Sequence, residues 1–598
     1  MQTNAQTNLG DAHSEESSID TFFAEKIILV TGATGFLGKA ILEKLLRSCL
    51  RVATIFVLIR PKKNLSVEER LTKLLENSRR LFKYFTCGVI ILEVSNTVIK
   101  TYDERSRLLP FSRLFSVIII CKIISVNTFV EKNIAPQIHF SMNISYKKRF
   151  FHLSQLFDRI RSEFPGALNK IFPVKGDLSM PEMGLQPEDK DMLIEKVNIV
   201  FHSAATVRFD EPLKNAVNLN VRGTDRMLDL CRRMTNLISI IHVSTAYSNA
   251  DRREIEELIY TTGIKPEIVM DICENLDDET IGILEKKLIT NHPNTYTLTK
   301  ALAEQILLSK GAGLPIAIVR PSIICAAYRE PFPGWVDNVQ GITGIMMGTG
   351  IGIIRSIVCN ANLIVDVIPV DFVVDTLICA SWHNAMQHID TIRIYNCTSS
   401  ALHPITWSKF GHLTKKYVIE SPSKYVMWYP GFTFRTNKFI HAIMVIMLHF
   451  LPAFIVDLVS RVRGYKPKMV RMAKRFKRST KTGEFFAINE WKFSVDNMRE
   501  LVESVKALGH CNDFNVDIRS LDWDTYLHQY VLGIRKYILK DDLDTLNNAR
   551  RRLRRLNWVD KLTKLFGIFV LSVFVLRMIL ICWNAVISSR NYTKTFES

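Results

Sequence analysis

The sequence predicts an α/β fold built on a doubly wound parallel sheet, and three observations predict it. Short apolar runs of strand length alternate with helical stretches along the first two thirds of the chain. The first run, Ile27-Ile28-Leu29-Val30, enters a glycine-spaced turn, Thr31-Gly32-Ala33-Thr34-Gly35-Phe36-Leu37-Gly38, and then a helix over Lys39 to Arg47. The later runs each end in small or polar residues, which a parallel sheet places together beyond one edge.

In chain order, the strands are Ile27 to Val30, Ala53 to Ile59, Phe172 to Lys175, Ile199 to His202, Ile240 to Val243 and Ile316 to Val319. Each is short and rich in β-branched or large apolar residues. Between the second and third, Ser66 and Glu69 form a capping box that starts a helix running to Ser78. Leu213 to Arg233 and Tyr296 to Ser309 carry helical patterns and cross between later strands. The strand at Phe172 is expected at one edge of the sheet. Residues 1–22 are polar, without the apolar core of a secretory signal, and read as disordered.

The glycine turn points to a dinucleotide. Gly32 permits the tight turn, Gly35 lets backbone approach a pyrophosphate, and Gly38 lets the helix pack on the strand. Phosphates then meet the helix N-terminus, where unpaired N–H groups and the dipole favour negative charge. The second strand ends in Arg60-Pro61-Lys62-Lys63. A protein preferring NAD usually holds an acidic residue there for the ribose 2′-hydroxyl. Arg60, with Lys62 or Lys63, suits a 2′-phosphate instead.

The chemistry is carried downstream. Tyr296 and Lys300 are spaced by four at the start of a helix, which puts both on one face. A nearby ammonium favours the phenolate, so Lys300 is expected to lower the Tyr296 pKa and make it a proton donor and acceptor. Ser244 ends a strand on the same edge and offers a hydroxyl to a carbonyl oxygen. No metal-ligand spacing is present.

In this order the motifs resemble the extended short-chain dehydrogenase/reductases. Within them the chain is most similar to the insect-type fatty acyl-CoA reductases. Thr31 to Gly38, His242-Val243-Ser244-Thr245-Ala246-Tyr247, Tyr296 to Glu304 and Val365-Asp366-Val367-Ile368-Pro369-Val370-Asp371 carry the likeness. The resemblance implies a Rossmann-type reductase domain over residues 23–400 and a mostly helical C-terminal domain over 401–545. It implies NADPH as cofactor and reduction of a long-chain fatty acyl-CoA to a primary alcohol with loss of CoA. Ser244, Tyr296 and Lys300 become the catalytic set, with Tyr296 and Lys300 also touching the cofactor. Thr31, Gly32, Thr34, Gly35, Phe36, Leu37, Gly38, Arg60 and Lys63 would hold its phosphate and ribose side. Asp177 resembles the adenine-contacting aspartate. Ala204, Ala205 and Asn220 match positions lining the ribose and nicotinamide, although Asn220 equally suits pinning a helix to the sheet. The enzyme alternative is an extended reductase acting on a sterol or another secondary alcohol.

Composition narrows the partners. The 598 residues carry a net charge of +19, concentrated in Arg461 to Lys481 and Arg550 to Arg555. No nucleic-acid motif accompanies these clusters, and both lie beside apolar segments, which fits a membrane surface and not nucleic acid. Leu565 to Ile587 is long enough to cross a bilayer, which takes about 20 residues. Five arginines precede it and only Arg590 and Lys594 follow, so the positive-inside rule leaves the catalytic part in the cytosol. The expected membrane is the endoplasmic reticulum first, then peroxisome or lipid droplet. Phe439 to Val456 is a second apolar stretch, interrupted by His441, His449 and Pro452, and reads equally as interfacial or packed. Pro331 to Gly352 is a candidate wall for an acyl chain. Eleven cysteines without paired spacing read as reduced thiols, and a homo-oligomer stays open.

Residues 79–155 break the strand–helix rhythm. Removing them joins Leu74 to Ser78 directly to Leu156 to Arg161 in one amphipathic pattern. The segment holds codable splice signals, Glu93-Val94-Ser95 as a donor and Phe150 to Gln155 as a pyrimidine tract and acceptor. It reads as an insertion or retained intron.

Overall fold

The computed structural model describes residues 18–61, 65–76, 155–289, 291–387, 391–509 and 513–596. Seven strands form the central sheet: β1 (Ile27–Thr31), β2 (Thr54–Ile59), β3 (Ile171–Lys175), β4 (Ile199–His202), β5 (Ser239–Val243), β6 (Ile316–Pro321) and β7 (Arg393–Cys397). Their order is 7-6-5-4-1-2-3, and every pairing is parallel. The topology reverses between β1 and β4, so the crevice for a ligand opens there.

The inner strands are buried along nearly their whole length because helices cover both faces. Edge strand β3 differs: Phe172 and Lys175 are exposed, and Pro173, which has no N–H to give, sits where a ladder partner is missing on one side. The seventh strand, Arg393–Cys397, has no counterpart among the sequence expectations.

Two helices flank the sheet's first half. Helix α1 (Phe36–Ser48) follows the glycine turn, and α2 (Val67–Glu76) starts at the capping box. Ser66 N–H donates to Glu69 at 3.0 Å, and Glu69 N–H donates to Ser66 Oγ at 3.1 Å. The expected helix from Leu213 to Arg233 is a short turn, a wide turn at Val217–Val221 and helix α3 (Arg222–Cys231). Helix α4 (Thr295–Lys310) begins at Asn294, whose side chain accepts from Thr297 N–H at 3.0 Å. Helix α5 (Val370–Met386) runs between β6 and β7 and packs on β5 and β6.

The expectation of disorder over residues 1–22 is corrected at residues 18–22; residues 1–17 lie outside the described residues. Ile19–Phe23 is a helical turn capped by Ser18, with Ile19 and Phe23 fully buried and Asp20 paired to Arg51 at 3.0 Å. Two apolar side chains one turn apart are enough to pin it.

The C-terminal third is mostly helical and shares an apolar core with the sheet. Helix α6 (Lys438–Val462) contains one wide turn at Ile446–Phe450. It is followed by α7 (Met469–Ala487), α8 (Asp496–Ala507) and the long α9 (Leu546–Phe596). Leu501, Val502 and Tyr526 join the same cluster as Ile28, Val57 and Leu377. A short parallel pairing of Lys492–Phe493 with Glu254–Ile255 adds a second tie. Most of the 79–155 segment lies outside the described residues. Its two flanks meet: Arg161 donates to the Leu75 carbonyl at 2.8 Å, and Leu74, Leu156, Phe157 and Ile160 are buried together. The segment is flanked by α2 and a short helix, Asp158–Glu163.

Candidate active site

The glycine turn leaves β1 with Gly32 at φ +74°, a left-handed conformation that favours glycine. Gly35 N–H closes the turn on the Gly32 carbonyl at 2.9 Å. A Cβ at Gly38 would stand 2.3 Å from that carbonyl oxygen, and one at Gly32 would stand 2.8 Å from Ala204 N. Both glycines are thus fixed by contact with backbone. Gly35 caps α1 without any side-chain bond to the first-turn N–H groups. Thr34 and Gly35 are exposed, so those groups face an open cradle of the kind that takes a pyrophosphate. The residues present therefore fit a dinucleotide.

Not every residue of the turn faces the cradle. Thr31 is fully buried, its hydroxyl 2.9 Å from His202 Nδ1 and accepting from Ala204 N–H at 3.2 Å. It holds the β4 loop in place and is not a ligand-facing group. Phe36 stacks on Trp335 with centroids 5.1 Å apart, and Leu37 packs on the core, so only their backbones are available to a phosphate.

Around this crevice, Ser203 Oγ donates to the Thr31 carbonyl at 2.7 Å, which positions the half-buried Ala204 and Ala205. Asn220 does what a pin does. It accepts from Thr206 N–H at 2.9 Å and donates to the Thr206 carbonyl at 3.2 Å and to Thr299 Oγ1 at 3.0 Å, tying the β4 loop to α4. Asp177 follows β3 and accepts from Ser179 N–H at 3.0 Å and from its hydroxyl at 2.8 Å. Arg60 is exposed at the end of β2, and its carbonyl accepts from Arg70. Burial and the neighbouring Arg60 charge hold the Arg70 pKa below its usual value, so two cations share this corner. Lys63 lies outside the described residues.

The candidate reacting groups converge from β5 and α4. Thr245 is the side chain that bears on the Tyr296 phenol, opposing the effect of its burial, and its hydroxyl accepts from Tyr247 N–H at 3.3 Å. Ser244 is turned the other way: its hydroxyl donates to Glu304, inside the protein. Glu304 in turn clasps Arg320 at 2.9 and 2.7 Å, and Arg320 also donates to the Glu256 and Leu258 carbonyls. This pair is out of contact with water. The expectation that Ser244 meets the substrate is therefore corrected. The loop after β5 alternates direction, and Glu304 takes the first hydroxyl.

Lys300 is buried and donates to the Val243 carbonyl at 2.6 Å. Burial brings its pKa down to about 8, with Glu304 pulling the other way. Tyr296 is also corrected: burial pushes its phenol up to about 12, with Thr245 opposing. Desolvation, and not the Lys300 ammonium, sets the direction of the shift. Register aligns Thr31, His202 and His242 side by side on the sheet. Burial and the Lys300 charge bring His202 down to about 3 and hold His242 well below its usual value, so both rings stay neutral.

Aromatic side chains close one side. Phe209 stacks on Tyr296 at 5.8 Å between centroids, Phe486 of α7 lies 5.5 Å from Phe209, and Tyr247 lies 4.9 Å from Phe486. Glu304, Arg320 and Thr245 escaped the sequence reading. The signal for Glu304 was present: it continues the four-residue spacing of Tyr296 and Lys300 along one helix face.

The chain is similar to known proteins along most of its length. A family model described as male sterility protein, with a NAD-binding name, matches residues 30–87 and 116–377, and a second with the same description matches 448–541. Fatty acyl-CoA reductase 1 of Mus musculus is 33% identical over 539 residues, 90% of each chain. The Gallus gallus protein of that name is 34% identical over the same coverage. Fatty acyl-CoA reductase 2 of Mus musculus is 34% identical over 540 residues, again 90% of each chain. With the glycine cradle, the tyrosine–lysine helix and this likeness along nine tenths of its length, the chain belongs to the fatty acyl-CoA reductase family.

Proposed function

We propose that this chain reduces a long-chain fatty acyl-CoA to the primary alcohol, drawing on NADPH and releasing CoA. The observation that carries the reading is the grouping of Tyr296, Thr245 and the buried Lys300 at the end of β5 and the start of α4, on the sheet edge that also holds the glycine cradle. Bound in that cradle, the reduced nicotinamide supplies hydride to the thioester carbon. Gly32, Gly35, Gly38 and the α1 N-terminus hold its pyrophosphate, and Arg60 with Arg70 and Lys63 meets a 2′-phosphate. Ala204 and Ala205 would line the ribose side, and Asp177 would meet the adenine.

The chain's own groups handle the oxygen and its proton. Tyr296 is a neutral phenol at working pH, because burial keeps its pKa near 12. It donates a hydrogen bond to the thioester oxygen, with Thr245 alongside, and yields its proton as charge develops there. Lys300, charged below about pH 8, stabilises the phenolate left behind and meets the nicotinamide ribose. The hemithioacetal hydroxyl returns its proton to the Tyr296 phenolate as CoA leaves as the thiolate, which gives an aldehyde and restores the neutral phenol. Tyr296, with Thr245 alongside, binds that aldehyde for the second reduction, which draws on a second NADPH. The aromatic wall of Phe209, Tyr247 and Phe486 excludes water. The Gly341–Gly350 helix, within the stretch expected as an acyl-chain wall, packs on α7 next to it.

A membrane setting supports an apolar substrate. The Leu565 to Ile587 stretch lies in α9 with exposed apolar side chains, including Phe566, Ile568, Leu576 and Trp583. It serves here as a single-pass anchor with the catalytic part in the cytosol, in the endoplasmic reticulum ahead of peroxisome or lipid droplet.

Purified full-length protein incubated with palmitoyl-CoA tests the reading. Free CoA and fatty alcohol should form with NADPH far faster than with NADH. Arg60→Ala should cut that preference by about ten- to a hundred-fold, the worth of a charge-assisted hydrogen bond. Oxidation or reduction of a sterol with no CoA release favours the secondary-alcohol alternative.

A further inference from the structure

Helix α6 has its polarity inverted for a helix lying on a protein surface. Between its charged ends, three polar side chains point inward. His441 Nδ1 lies 2.9 Å from Ser356 Oγ, and His449 Nε2 accepts from Arg355 N–H at 2.9 Å. Asp457 accepts from the N–H groups of Lys468, Met469 and Val470, each at 2.9 Å, and so caps α7. Its large apolar side chains point outward: Phe439 is 74% exposed, Ile446 59%, Phe454 58% and Val462 82%. A soluble surface helix buries the apolar stripe and exposes the polar one.

The inward bonds run from His441 to Asp457, roughly 24 Å along the helix axis at 1.5 Å per residue. A helix held to the body over that length lies along it and does not leave it to cross a bilayer. What covers the outer face is indicated by its border. Arg461 to Lys481 holds ten cations and no acidic residue. Arg463, Lys466, Arg471, Lys474 and Lys481 are among those exposed. A second copy of the chain would bring the same ten cations against them. An anionic bilayer surface complements both the apolar face and the charge.

We propose that α6 and α7 form an interfacial hairpin: α6 lies flat in one leaflet by its outer face, and the cations of Arg461 to Lys481 meet anionic head groups. This is a membrane contact separate from the Leu565 to Ile587 anchor, and it does not depend on the chemistry assigned to the site. It has a consequence for traffic. Helix α7 carries Phe486 in its last turn, within the aromatic wall beside Tyr296, so the helix that meets the lipid surface also borders the candidate site.

The test uses the full chain in phosphatidylcholine–phosphatidylserine vesicles that carry a lipid with a diazirine in its acyl chain. After illumination, adducts are mapped by peptide mass spectrometry, and those in Leu565 to Ile587 report that the protein is in the bilayer. The proposal expects further adducts at Phe439, Ile446, Phe454 and Val462 and none at His441, His449 or Asp457. Yield on that face should fall several-fold in Arg471→Ser/Lys474→Ser/Lys481→Ser, with the anchor's adducts unchanged. Adducts in the anchor alone would overturn it. So would adducts on all sides of α6, which mark a crossing helix, or a chemical cross-link between two copies at α6 in place of lipid adducts.

Discussion

The Ser244 hydroxyl donates to the Glu304 carboxylate, and the neighbouring Thr245 is the side chain that bears on the Tyr296 phenol. Two adjacent residues thus divide a structural task from a chemical one. Thr245→Val should lower kcat by about a hundred-fold, the cost of one donor at a developing oxyanion. Ser244→Ala should retain most turnover and lose about 1 kcal/mol of stability, the net worth of a hydrogen bond. Steady-state rates and urea unfolding of both variants check this. The reverse pattern would restore Ser244 to the site.

Glu304 and Arg320 form a buried pair with both carboxylate oxygens used. Glu304→Gln leaves a buried guanidinium without its counter-charge. A loss of about 3–5 kcal/mol is expected in denaturant unfolding. Arg320 still has the Glu256 and Leu258 carbonyls, which limits the damage.

The site's alkaline limit should follow Lys300. Its pKa is down to about 8, so its positive charge is present below that pH and lost as pH rises through it. The pH profile of kcat/KM should therefore fall above about pH 8, with Tyr296 still protonated because its own pKa is near 12. Glu304 raises the Lys300 value, so Glu304→Gln should move the limb to lower pH. A limb unmoved by that change, in protein shown to be folded, would detach Lys300 from it.

Removal of residues 79–155 should leave the fold intact. Leu74 and Phe157 are already buried in one cluster, and Arg161 already reaches the Leu75 carbonyl, so the β2–β3 crossover is tied on both sides. Thermal unfolding of the shortened chain should match or exceed that of the full chain, with NADPH bound at least as tightly. A drop in melting temperature would make the segment part of the fold.

What the sequence disclosed was local. The glycine turn, the Ser66–Glu69 capping box and the Tyr296–Lys300 spacing are set by neighbours a few residues apart, and all take the expected form. Ser244 against Thr245 was not legible, because residues forty or more positions away decide which hydroxyl turns inward. Burial misled the Tyr296 reading for the same reason: desolvation depends on Phe209 and its neighbours, not on the helix that carries the pair. The seventh strand was missed because Arg393 and Asn396 interrupt its apolar pattern. Their bonding is supplied from afar, by Glu500 for Arg393 and by Glu257 for the Asn396 N–H.

The central claim is that one site reduces the same carbon twice. NADPH deuterated at the transferred position, given with palmitoyl-CoA, tests it directly by mass spectrometry of the lipid product. The account predicts a primary alcohol with two deuterium atoms on carbon 1 and one equivalent of free CoA. A product with a single deuterium on a secondary carbinol, or an alcohol that appears with the acyl-CoA untouched, would contradict it.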